Sequence, residues 1–162
     1  MRNIIFTSAI CIFAGQAFAQ APITQGCFLR DYSDAHLASH PKQVVDWIRV
    51  KIHKDQYDQT GADVDAYIAN QGHARASGLG GQVLAGALHC WQSGGDIGCS
   101  VDCDGGTFYV IKDDGQTLTL RTEGVMIGDT ESCGGALSLA EEVGKPTTYR
   151  LNRVADDVCE GN

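Results

Sequence analysis

The chain has 162 residues, 12 Lys and Arg against 20 Asp and Glu, and a net charge of −8. That acidic balance opposes nucleic acid and anionic membrane surfaces and favours cationic partners. Its plainest consequence is solubility.

Met1-Arg2-Asn3 is a short basic start, followed by an apolar stretch from Ile4 to Ala14. Ala17-Phe18-Ala19 places small residues at −3 and −1 of a cleavage point before Gln20. This pattern predicts a cleavable signal peptide over residues 1–19 and an exported protein, periplasmic or secreted. The apolar stretch is shorter than the roughly 20 residues that a bilayer span requires. Cys11 is not a lipoprotein cysteine, because Ile10 stands where a small residue belongs. Cleavage removes Arg2 alone among the charged residues, so residues 20–162 carry 11 basic and 20 acidic side chains, a net charge of −9. That length is one ordinary domain, with no transmembrane segment expected in it.

Asp34 to Ser39 predicts one helical turn, capped by Ser33 and stopped by Pro41. Beyond it the signal has period 2. Ile48, Val50 and Ile52 alternate with Trp47, Arg49, Lys51 and His53, and Val64, Ala66 and Ile68 alternate with Asp65 and Tyr67. Leu84, Leu88 and Cys90 share one parity. Gly78 to Gly86 is Gly-rich without the Lys-Ser/Thr of a phosphate loop and reads as a flexible approach to that strand. Phe108 and Val110, Leu118 and Leu120, and Tyr149 and Leu151 continue the alternation. Asp104-Gly105-Gly106 and Asp113-Asp114-Gly115-Gln116 are turn signals, so residues 98–121 predict three consecutive antiparallel strands. Ala136 to Val143, ended by Gly144 and Pro146, predicts a second short helix. The fold class is therefore all-β and mostly antiparallel: a barrel or sandwich of about seven or eight strands with one or two helical turns.

Six cysteines follow the signal peptide: Cys27, Cys90, Cys99, Cys103, Cys133 and Cys159. An even number in an exported chain predicts three disulfides. On one extended strand Cys99 and Cys103 sit roughly 13 Å apart, at about 3.3 Å per residue. That exceeds the limit of about 7 Å between bridged Cα atoms. Cys90 pairs with Cys99 across a turn-rich hairpin, Cys103 with Cys133, and Cys27 with Cys159. No C-x₂-C spacing offers a zinc or redox pair.

Candidate sites are weak. His36 and His40 lie four apart, as two metal ligands on a helix do, but no Glu between them could act as a base. Asp102 to Gly106 resembles the front of a calcium loop, yet Thr107 and Asp113 occupy the positions where Gly and Glu are required. Trp47, Arg49, Lys51 and His53 share one strand face that could hold an anionic or sugar ligand, or could simply face solvent. No Gly-x-Ser-x-Gly elbow exists, and no two of Glu123, Glu131, Glu141 and Glu142 stand out as a glycosidase pair. No catalytic, cofactor or metal residue is assigned.

The leading expectation is a non-catalytic binding protein of the cell envelope, with a cationic protein such as a muramidase as partner. A barrel-type carrier of a small ligand is the first alternative, with Ala66, Gly86 and Ala87 as small inward residues that make room. An envelope hydrolase is the second, and it would rest on His36, His40 and His89.

Overall fold

The alternation of apolar and polar residues is realised as a closed antiparallel barrel in the computed structural model, which describes residues 22–130 and 135–160. Its strands are β1 (Gly26–Asp31), β2 (Val45–Lys54), β3 (Thr60–Ile68), β4 (Val83–Ser93), β5 (Asp96–Val101), β6 (Thr107–Asp113), β7 (Thr117–Glu123) and β10 (Thr148–Val154). Each pairs with the next in sequence, β7 pairs with β10, and β10 pairs with β1 to close the ring. A two-stranded excursion, β8 (Met126–Ile127) and β9 (Leu137–Ser138), fills the gap between β7 and β10. The architecture is thus a barrel, not a sandwich. Residues 98–121 form three consecutive strands as expected.

Eight strands enclose an interior just wide enough for side chains. Phe28, Ile48, Val50, Val64, Ala66, Leu88, Phe108, Leu118, Leu120, Tyr149 and Leu151 fill it, each at most 3% exposed. One end carries the short hairpins 55–59, 94–95 and 114–116; the other carries all the long connections. Val44, Ile68, Ala74, Val125, Ile127, Leu137 and Leu139, all buried, plug the long-loop end. The Tyr149 hydroxyl donates to the Leu139 carbonyl there, tying the plug to the barrel wall. Two of the three small residues proposed to make room do not. Gly86 faces inward, but a Cβ added to it would lie 2.9 Å from Ile127 Cγ2. Ala87 shares the parity of the exposed Ala85 and His89 and points outward.

Helix α1 (Asp34–Ser39) has its expected bounds, and Ser33 Oγ accepts from His36 N at 3.3 Å. The second helix is not where the sequence put it. Residues 136–143 form β9 and turns, because Ala136 N donates to Ile127 O and Leu139 N to Val125 O, which binds the segment to β8 as a ladder. The actual second helix, α2 (Gly72–Ser77), lies in the β3–β4 connection and ends on Gly78 in the left-handed conformation.

Two of the expected bridges are present. Cys90 and Cys99 are directly opposed on β4 and β5. Cys27 on β1 joins Cys159 at the end of a 3-10 turn (Asp156–Cys159), with Cα atoms 5.9 Å apart. Cys103 is disulfide-bonded, but its expected partner, Cys133, lies outside the described residues, as do residues 1–19. Among the described residues no helix is long and apolar enough to cross a membrane.

Candidate functional site

The ladder of β2 with β3 puts the predicted face on the outer wall. Trp47 stands opposite Tyr67, Arg49 opposite Asp65, Lys51 opposite Asp63 and His53 opposite Gly61. The four side chains do share one face, but its cations are spent. Arg49 Nε meets Asp65 Oδ2 at 2.8 Å and Arg49 also donates to Val158 O at 2.8 Å. Lys51 Nζ reaches Glu160 Oε1 at 3.3 Å, and His53 Nε2 lies 3.2 Å from Asp63 Oδ2. An anionic ligand would have to displace each of these carboxylates, so the stripe is neutralised rather than basic.

Three carboxylates lie near the head of β2. Asp31, at the end of β1, stands opposite Trp47; Asp34 opens α1; Asp46 is the extra residue of the bulge between Val45 and Trp47. None of the three forms an ion pair among the described residues. Burial pushes the Asp46 carboxyl above its ordinary value, and repulsion from Asp31 and Asp34 adds to it. Trp47 and Tyr67 run nearly parallel, 15° between planes and 6.3 Å between centroids. Leu29, Asp31, Trp47, Arg49 and Val158 line a cleft of about 220 Å³ at this place.

A second, polar groove of about 420 Å³ opens at the long-loop end. The β1–β10 ladder pairs only Cys27 to Leu29 with Val154 to Asn152. Past Leu29 the two strands have no ladder between them, and Arg30 and Tyr32 line one side of the groove while Thr148 and Arg150 line the other. Helix α1 adds His36 and its cap adds His40, with Gln43 and Glu141 completing the lining. The rings form a column: Arg30 Cζ lies 4.6 Å from the Tyr32 centroid, Tyr32 stacks on His36 at 4.7 Å, and His36 on His40 at 4.0 Å. Burial pushes the Tyr32 hydroxyl above its usual range, opposed by the Arg30 charge and by hydrogen bonding with Arg30 and Gln43. Desolvation holds His36 below its ordinary value, and the neighbouring His40 and Arg30 act in the same direction while Glu141 opposes them.

This column is not a metal pair. The His36 and His40 rings are within 12° of parallel, and the lone pairs that bind a metal lie in the ring planes, so stacked rings do not converge on one ion. His40 Nδ1 also lies 2.9 Å from His36 O and 3.0 Å from Ser39 Oγ. That Ser–His contact lacks the features of a nucleophile. The hydroxyl sits within hydrogen-bond distance of the Ala35 and His36 carbonyls, and among the described residues no carboxylate orients the imidazole. His89 is elsewhere, on the outer wall of β4, 3.7 Å from Asp102. The Asp102–Gly106 stretch forms the β5–β6 turn, with Cys103 in the left-handed region and Val101 N donating to Gly106 O.

Sequence reasoning named Trp47 and the stripe but missed Asp31, Asp34 and Asp46, and it named His36 and His40 without Arg30 and Arg150. Compared with known protein families, curated proteins and solved structures, the chain matches none.

Proposed function

We propose that this chain is an exported, non-catalytic binding protein that takes a cationic protein partner on the outer wall of its barrel. The observation that carries this reading is the carboxylate group Asp31, Asp34 and Asp46, which has no ion pair among the described residues, while Arg49, Lys51 and His53 along β2 each face a carboxylate. A Lys or Arg side chain entering the Leu29–Asp31–Trp47 cleft would pair with Asp31, whose charge repels Asp46, and lie beside Trp47, whose ring already has the Arg49 guanidinium 5.5 Å from its centroid. At about 220 Å³ the cleft suits a single side chain better than a small-molecule ligand, whose pockets run from about 300 to 1,000 Å³. The filled interior weighs against a carrier. The disulfides fit an oxidising compartment.

The experiment is binding of a basic muramidase to the immobilised protein at low and high ionic strength. Asp31→Asn combined with Asp46→Asn should weaken binding about tenfold at low ionic strength, a difference of about 1.4 kcal/mol. The loss should fall largely on the association rate, as expected for charges at an interface rim. Full affinity in the double variant, or binding indifferent to salt, would remove this reading.

A further inference from the structure

We infer that the groove between β1 and β10 is a binding site for a phosphate-type dianion, held between the guanidinium groups of Arg30 and Arg150. This goes beyond the cationic-partner reading and uses none of its residues.

The inference begins with the disposition of the positive charges. Of the 11 Lys and Arg among the described residues, Lys42, Arg49, Lys51, Lys54, Lys112, Arg121 and Lys145 form ion pairs. Arg75 donates twice to Asn70 O, and Arg153 donates to Gln25 O. The two that remain, Arg30 and Arg150, have neither a carboxylate nor a carbonyl partner among the described residues, and both line the same groove. Two cations in one concavity, neither with an ion pair among the described residues, are poised for a ligand that carries negative charge.

Guanidinium favours oxyanions, because its planar fork of donors matches their oxygens. Two such groups suit a dianion better than a monocarboxylate. Ring stacking over Tyr32 holds Arg30 in place before a ligand arrives, which lowers the entropic cost of binding. The groups around His36 are Arg30 on β1, Tyr32 just after it, His40 at the cap of α1, Glu141 on the loop before β10, and Arg150 on β10. Their net effect disfavours its protonated form. A bound dianion reverses that balance, so His36 gains a proton more readily in the complex. Glu141, which also lines the groove, would accept a hydrogen bond from a hydroxyl of the group bearing the phosphate.

The test is an NMR titration of the full-length protein, lacking only its signal peptide, with inorganic phosphate at fixed ionic strength. Ring signals of His36 and His40 should shift saturably, and the His36 midpoint should move to higher pH in the presence of phosphate. Arg30→Gln and Arg150→Gln should each weaken binding about tenfold, a loss of roughly 1.4 kcal/mol. Lys112→Gln, remote from the groove, should stay within about twofold. Arg150 is exposed, so its variant keeps the test valid if loss of Arg30 disturbs the fold. Acetate should bind about tenfold more weakly than phosphate. Shifts that never saturate, an unmoved His36 midpoint, equal binding of acetate, or equal loss in the Lys112 variant would each overturn the assignment.

Discussion

Opening the bridge between the chain ends should cost more stability than opening the hairpin bridge, although the hairpin bridge joins two directly opposed residues. Cys27–Cys159 closes a separation of 132 residues, and Cys90–Cys99 closes 9. With an entropy of about −2.1 − 1.5R ln n, the loops correspond to about 5 and about 2.6 kcal/mol at 25 °C, a difference near 2.4 kcal/mol. The side-chain contributions nearly cancel. Each bridge has one cysteine in the core, Cys27 at 0% and Cys99 at 2% exposure, and one that is partly exposed. Cys27→Ala with Cys159→Ala and Cys90→Ala with Cys99→Ala therefore differ chiefly in loop length. Equilibrium urea unfolding of the two double variants, with the remaining cysteines oxidised, reads the difference directly. At a slope of roughly 2 kcal/mol/M, the terminal variant should unfold about 1 M earlier. Equal midpoints, or a later midpoint for the terminal variant, would refute the reasoning. They would show that the contacts holding the C-terminal turn keep the ends together unaided: Asp156 Oδ1 on Cys27 N, Val158 O on Arg49, and Glu160 on Lys51.

Gly106→Ala should be far more damaging than Gly115→Ala. Both have positive φ, but a Cβ at Gly106 would strike the Gly124 backbone while one at Gly115 meets open space. The first should cost at least about 3 kcal/mol and the second about 1 kcal/mol, measured as shifts in thermal midpoint. Tyr149→Phe should cost about 1–2 kcal/mol in urea unfolding, because it leaves the buried Leu139 carbonyl without its donor. Glu142, held by Lys145 and Lys42, has its carboxyl lowered from 4.5 to about 2. A depressed carboxylate stabilises the fold above its unfolded value, and this contribution fades as pH falls from about 4.5 towards 2. Lys42→Ala and Lys145→Ala should each move the Glu142 titration upward in NMR, and an unmoved midpoint would exclude the bridge.

Most features set by neighbouring residues were legible in the sequence, and most set by distant ones were not; the Cys27–Cys159 bridge, reached by elimination across 132 positions, is the exception. Helix α1 could be bounded to the residue because its cap, Ser33, and its stop, Pro41, lie in the same ten residues. The Cys90–Cys99 bridge followed from the turn between them and the impossibility of a Cys99–Cys103 link. Helix α2 left no such trace. Gln71 caps it without a side-chain bond, only Ala74 is buried, and what holds the segment is Gln71 Nε2 on the carbonyls of Leu37, His40 and Gln43. Residues 136–143 have helical composition, but the pairing of β9 with β8 overrides it. The outer stripe from Trp47 to His53 was visible in the period of β2. Its neutralisation was not, because Asp63 and Asp65 enter through the β3 register and Glu160 through the C-terminal bridge. Arg30 and Arg150 line one groove only because the barrel closes, across 120 positions that no local pattern relates.

The two sites should respond to salt in different ways, and this separates them experimentally. A cationic protein is attracted by the whole acidic surface as well as by Asp31, Asp34 and Asp46, so its association weakens as the Debye length falls from about 30 Å at 0.01 M to about 3 Å at 1 M. A dianion approaching the Arg30–Arg150 groove is repelled by that same surface and attracted only at close range. Screening removes the repulsion first, since it acts over the longer distances, while contacts to guanidiniums at hydrogen-bond range are screened less. Raising the concentration of an inert salt such as sodium chloride from low to moderate should therefore cut muramidase binding severalfold and leave phosphate binding nearly unchanged. Parallel losses at both sites would mean that the groove draws its anion by diffuse charge, which a chain with 20 acidic residues against 12 basic ones cannot supply.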